Sequence, residues 1–358
     1  MRVVRKICLL LLIVPVLAFG AEAEKAVPPG LNAETMKGLE LRPLGPAFMS
    51  GRISDIVLHP DNSNIKYVGV GSGGVFKTLN SGISWEPIFD SEGSYSIGCI
   101  TLDPNRPDTV WVGTGENVSG RHVGFGDGVY RSLDGGKSWT NMGLKKSEHI
   151  GMIRIDPRDS NVIFVAAQGP LWSGGGDRGL FKSVDGGKSW NKVLGAGEFT
   201  GVSEVLMDPR DPDVMYATTW QRLRTVASLM DGGPESGIHK STDGGNTWRE
   251  LKTGLPEEDM GKVGLAISPQ KPDVVYATIE LPGREGGFWR SEDSGETWEK
   301  RNEYLSSGTG PHYYQELYAH PHFFDRVYQA DVMLHFTSDG GKNFTRMPLG
   351  NHHSDHHA

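Results

Sequence analysis

Six apolar stretches end in a proline turn, at Pro60, Pro104, Pro157, Pro209, Pro269 and Pro321. The residues five before these prolines are Asp55, Cys99, Met152, Glu204, Gly264 and Glu316. Apolar residues stand four and two before each proline, so on an extended strand the column with three carboxylates points to the opposite face. Two carboxyls facing each other across about 5 to 10 Å, one protonated and one ionised, can hydrolyse a glycosidic bond. Asp55, Glu204 and Glu316 are therefore the candidate catalytic acids. Glu116 and Glu280 fall near the ends of neighbouring strands and extend the set. The same carboxylates can instead be structural, accepting hydrogen bonds from backbone donors.

Recognition chemistry lies nearby in the sequence. Arg52, Arg121, Arg222 and Arg224 suit a carboxylate or phosphate, and Trp172 and Trp220 suit stacking on a sugar or clamping a peptide. Glu116, His122, His312, Tyr313 and Tyr314 complete the candidate ligand-binding residues. His320, His322 and the terminal His352, His353, His356 and His357 make the second half His-dense. No metal-ligand spacing is met, so neither a metal nor any other cofactor is expected. The run Gly69-Val70-Gly71-Ser72-Gly73-Gly74 fits a dinucleotide fingerprint, but no helix pattern follows it to receive a pyrophosphate.

The elements that must position these residues are strands. Among 358 residues, 49 are Gly and 21 Pro, clustered between β-branched and aromatic runs, which argues against a helical protein. Self-similarity specifies the arrangement. The pattern S/T-x-D/N-x-G-x-x-W/F occurs six times, closing at Trp85, Trp139, Trp190, Trp248, Trp298 and Phe344, with spacings of 54, 51, 58, 50 and 46 residues. Each unit reads as a strand ending in the proline turn, a second strand, a Gly-apolar-aromatic-basic third strand in most copies, the box, and a fourth strand from the aromatic. Such a unit is one propeller blade. In the box, the Asp accepts hydrogen bonds from its own turn, glycine supplies positive φ, and Ser or Thr ties the strand ends. Six copies in equivalent turns cannot converge on one catalytic centre.

On these boxes the sequence resembles the Asp-box (bacterial neuraminidase repeat) propellers, from roughly Gly45 to Phe344. Within that superfamily it looks most like secreted sortilin-type proteins and the xyloglucanases built from two propellers. The Phe/Tyr-Arg-Ile-Pro signature of true sialidases is absent. The resemblance implies an all-β propeller with loops over its funnel, among them Glu116 to Asp127, Gln168 to Arg178 and Trp220 to Ser236. The expected function is binding of a peptide, protein or glycan. The alternative is a glycoside hydrolase of xyloglucanase-like type with paired carboxylates, which in that family draws on a second propeller.

The organisation expected from the sequence is a signal peptide over 1–20, a linker over 21–38, six blades over 39–349, and the start of a seventh over 350–358. Arg2, Arg5 and Lys6 precede the apolar run Cys8 to Phe19, and Ala18-Phe19-Gly20 offers a cleavage point, so export to the periplasm or exterior is expected. That run is too short to span a membrane. Removal of Cys8 leaves Cys99 without an intrachain disulfide partner. The net charge of -8 gives no reason to expect nucleic acid as a partner. The short piece after the sixth box points to the remainder of a longer chain as the structural partner.

Overall fold

The computed structural model describes residues 51–120, 123–195, 197–303, 315–348 and 350. The expected signal peptide, linker and start of a further blade lie outside these residues, as do Arg121, His122, His312, Tyr313, Tyr314 and the four terminal histidines.

Six antiparallel blades are arranged as a β-propeller, almost without helix. Their innermost strands are Ile53–Leu58, Ile97–Asp103, Ile150–Asp156, Thr200–Met207, Val263–Ile267 and Glu316–Ala319. Within each blade the strands pair in sequence order from the innermost outward. Blade 4 departs from four strands. Its second strand extends over Met215–Arg224 and pairs with Leu229–Asp231, so much of the stretch expected as a Trp220 to Ser236 loop is a hairpin. Thr225 closes its turn by donating N–H to Ser228 O. No described helix is long and apolar enough to cross a membrane.

The box turns are built from local hydrogen bonds. In blade 2, Ser132 donates its hydroxyl to Asp134 and accepts N–H from Asp134 and Gly136, while Asp134 accepts from the backbone of Lys137 and Ser138. Gly135 and Gly136 take φ of 71° and 92°, where a Cβ would strain the turn. These donors hold the exposed box aspartates low, Asp185 near 2 through Ser189 and Ser183. Because Ser183 is fully buried and serves three such bonds, Ser183→Ala is expected to cost about 1–3 kcal/mol, read as a lower urea midpoint. An unchanged midpoint would remove the box from the account of stability.

Hydrophobic cores lie between consecutive blades. In blades 2 to 6, residues four and two before the proline face the preceding blade: Ile153 and Ile155 of blade 3 pack with Trp111 and Val129 of blade 2, and Leu265 of blade 5 with Tyr216 and Ile238 of blade 4. Corresponding clusters join blades 1 to 2, 3 to 4, and 5 to 6. A cation clamp accompanies this packing. The basic residue of a third strand lies over the aromatic of its own second strand and donates to the box turn of the next blade. Lys77 reaches Gly135 O, Arg131 Gly186 O, Lys182 Gly244 O and Lys240 Ser294 O, at 2.7–2.8 Å. Arg290 reaches blade 6 through Asp325, whose carbonyl holds Gly340 N–H.

Candidate functional site

Of the column five before the prolines, Asp55, Cys99, Met152 and Glu316 line one cavity. A cavity of about 430 Å³ runs beside the innermost strands of blades 1 and 2, and Asp55, Glu316, Asn117, Arg154 and Tyr318 open onto it. That volume is in the range of small-molecule and oligosaccharide sites. Toward the proline turns the channel continues into an apolar mouth lined by Leu206, Leu265, Leu317 and the turn prolines.

The three candidate catalytic carboxylates have different surroundings. Asp55 Oδ2 accepts the N–H of Ile100 from the next blade at 2.8 Å, and Glu204 Oε2 accepts the N–H of Leu265 from its next blade, also at 2.8 Å. Each therefore satisfies a backbone donor on the channel edge of the neighbouring innermost strand. Burial pushes Asp55 up to about 6; the Ile100 bond works against this and Glu316 adds to it. Burial pushes Glu204 up to about 8, countered by Leu265 N–H and reinforced by Glu316. Glu316 instead meets side chains, receiving Asn117 Nδ2 at 3.2 Å and the Tyr318 hydroxyl at 2.6 Å. Desolvation, with Glu316 beside it, holds that hydroxyl well above the usual phenol range. Lys262 is buried here and lowered by desolvation, which Glu316 and Glu204 oppose.

The other end of the channel is covered by the segment from Glu116 onward. Asn117 reaches Glu316, Gln168 Nε2 donates to Asn117 O, Arg222 donates to Val118 O and Gly169 O, and Arg224 donates to Ser119 O. Val118, Val123 and Leu171 form a small core beneath. Several residues expected to meet a ligand are thus enclosed. Arg222 is fully buried and Trp220 nearly so, with the Arg222 and Lys262 cations 5.0 and 5.8 Å from its ring. Glu116 is buried against Arg52 at 2.7 Å and raised by desolvation, which that arginine opposes. Trp172 is accessible at the surface. Glu280 is buried and pushed up to about 9 by desolvation and by Asp231, both packed against Gly261. His320 accepts N–H from His322 and Phe323 within its own turn. Among the described residues no three His, Cys, Asp or Glu side chains are grouped to hold a metal.

Sequence reasoning missed Asn117, Arg154, Tyr318 and Lys262. The signal for Arg154 and Tyr318 was present: each stands three before its proline, on the same strand face as the carboxylate column. Asn117 had no such signal, since its contact with Glu316 spans 199 residues.

Residues 127–271 match the family model described as Sortilin-Vps10 (sortilin, neurotensin receptor 3). A xyloglucanase of Hypocrea jecorina is 27% identical over 305 residues, covering 76% of this chain and 34% of that protein. The chain thus spans about a third of the length of this relative. Among solved structures, an ancestral GH74 enzyme superposes with a TM-score of 0.59 at 19% identity, over 84% of this chain and 39% of that one. YCF48 from Cyanidioschyzon merolae superposes with a TM-score of 0.52 at 17% identity, over 85% of this chain and 87% of that one. Six Asp boxes and six blades make the chain an Asp-box β-propeller, similar to the sortilin-type and xyloglucanase propellers.

Proposed function

We propose that this glycoside hydrolase-like propeller works outside the cytoplasm on a polysaccharide of the β-glucan type, with Asp55 and Glu316 as its acid and base. The observation that carries the reading is the pair itself, two carboxyls in unlike environments opening onto one cavity of about 430 Å³. Burial keeps the Asp55 proton in place up to about pH 6, the property a general acid needs. Glu316 accepts hydrogen bonds from Asn117 and Tyr318, which orient its carboxyl at the cavity. Asp55 gives its proton to the glycosidic oxygen as the bond to the anomeric carbon breaks. Glu316 acts on that carbon or takes the proton of the attacking water. The substrate class rests on kinship to a xyloglucanase.

A second reading is favoured by one contact. The bond from Ile100 N–H to Asp55 matches the one from Leu265 N–H to Glu204, so Asp55 is also a link between blades, as in a module that binds a glycan or peptide without cleaving it. Reducing-end release from xyloglucan separates the two. For a hydrolase, release falls as pH rises through about 6, and Asp55→Asn abolishes it while polysaccharide retention in affinity electrophoresis persists. Retention with no release by the unmodified chain supports the binding module.

A further inference from the structure

The channel changes chemistry along its length. The cavity of about 430 Å³ holds the carboxyls of Asp55 and Glu316, and the mouth beyond it, about 520 Å³, is lined by aliphatic side chains and proline rings. Among the described residues lining the mouth, only Arg154 and Tyr318 have side chains ending in nitrogen or oxygen, and both also border the cavity. Polar side chains therefore stop at the waist between the two spaces.

The repeat explains the division. Three before the proline, Arg154 of blade 3 and Tyr318 of blade 6 are matched by Leu206 of blade 4 and Ala266 of blade 5. Ile155, Met207 and Ile267, each one residue further along its strand, line the mouth as well. Arg154 gives one N–H to Ile153 O at 3.2 Å, and a guanidinium has four more for the hydroxyls of a sugar at the waist. The Tyr318 hydroxyl is bonded to Glu316 at 2.6 Å, so the carboxyl pair and the mouth share one side chain as a wall.

We propose that the mouth is a subsite for the apolar aglycone of a glycoside: the sugar lies between Asp55 and Glu316, and an alkyl or aryl group joined to its anomeric carbon extends past Arg154 among Leu206, Leu265, Ile267 and Leu317. A further sugar in the mouth would take its hydroxyls out of water beside side chains that cannot bond them. An apolar group gains there in proportion to the surface it buries. Continuity fixes the occupant, since the mouth opens directly on the carboxyl pair and so receives the group across the scissile bond. The inference rests on the Asp55 and Glu316 reading and narrows its substrate to a β-glucan-type saccharide ending on an apolar group. In turnover Asp55 protonates the glycosidic oxygen as its bond to the anomeric carbon breaks. The alkanol or phenol departs, the hydroxyl of water adds to that carbon, and the remaining proton goes to Glu316 and returns through solvent to Asp55.

Matched glycosides test it. Octyl and methyl β-cellobioside lose alkanols of nearly equal acidity, so a difference between them reports the mouth. In calorimetry below the micelle concentration, the 358-residue chain is expected to bind octyl 1-thio-β-cellobioside, which resists cleavage, at least about tenfold more tightly than the methyl thioglycoside. A similar ratio is expected in kcat/KM for the cleavable pair. Leu206→Gln and Ile267→Gln are each expected to bring both ratios to within about threefold of unity. Equal affinity for the two thioglycosides overturns the inference. So does an octyl preference that survives in both variants when each unfolds cooperatively, because the alkyl group then binds elsewhere on the surface. A preference that fades as protein concentration rises assigns the mouth to a second copy and also overturns it. Cleavage of xyloglucan with no gain from octyl over methyl in kcat/KM overturns the inference and leaves the acid–base reading standing. An octyl preference in binding that the variants remove, with neither cellobioside nor xyloglucan cleaved, upholds the subsite and removes the acid–base reading.

Discussion

Glu316→Gln is expected to lower reducing-end release from xyloglucan by at least about 100-fold while leaving the KM for the polymer nearly unchanged. Glutamine keeps the length of the side chain: its oxygen can accept from Asn117 Nδ2 while its amide NH2 donates to the Tyr318 hydroxyl oxygen, so both contacts can persist with one reversed. What disappears is a group able to take a proton or attack a carbon. A secondary effect identifies the site of action. The Glu316 charge helps to raise Asp55, so its removal moves Asp55 toward the ordinary carboxylate range and shifts the fall of residual activity to lower pH. Tyr318→Phe, which removes one donor and no base, is expected to cost less and to act mainly on kcat. If Glu316→Gln turns over xyloglucan at the unmodified rate, the acid–base assignment is wrong.

A large stability effect is expected at Glu204. Its folded-state pKa lies near 8, above the ordinary 4.5, through burial first and the Glu316 charge second. Between these values the folded protein keeps a proton that the unfolded chain releases, so this group's contribution is full below about pH 4.5 and is lost as pH rises to 8. Asp55 acts in the same direction over the window from 3.8 to about 6. The box aspartates act oppositely: Asp185, held near 2, contributes above its unfolded value and loses that contribution as pH falls. The combined expectation is an optimum near pH 5 and a decline toward pH 8. Glu204→Gln keeps an oxygen for the N–H of Leu265 and has no charge to desolvate. It should match the unmodified protein at pH 5 and exceed it at pH 8 by on the order of a few kcal/mol. Urea midpoints at four pH values check this, and parallel curves for the two proteins would falsify it.

Much of this molecule was legible because its information is short-range. The box places a hydroxyl, a carboxylate and two glycines within eight residues, and the turn they make is complete in itself. The alternation before each proline assigns one strand face to the core and the other to the carboxylate column, of which Asp55 and Glu316 line one cavity. Less of the binding surface was legible. Arg222 and Trp220 have the composition of a ligand loop, yet Arg222 is consumed by the carbonyls of Val118 and Gly169. An exposed arginine and one that holds a covering segment look alike until the segment is in place.

By itself the sequence determined an all-β propeller of repeated blades, the turn chemistry of its boxes and the strand face carrying the carboxylates, because hydrogen bonds within a turn and the two-residue period of a strand depend only on neighbours in the chain. Tertiary structure alone decided which carboxylate meets which donor, which arginines are buried, and that Ile56 is open where its five counterparts are covered. Ile56 and Ile100 occupy the same place in the same repeat. What separates them is whether another blade lies against that face, and burial is set by the surface that arrives from elsewhere in the fold.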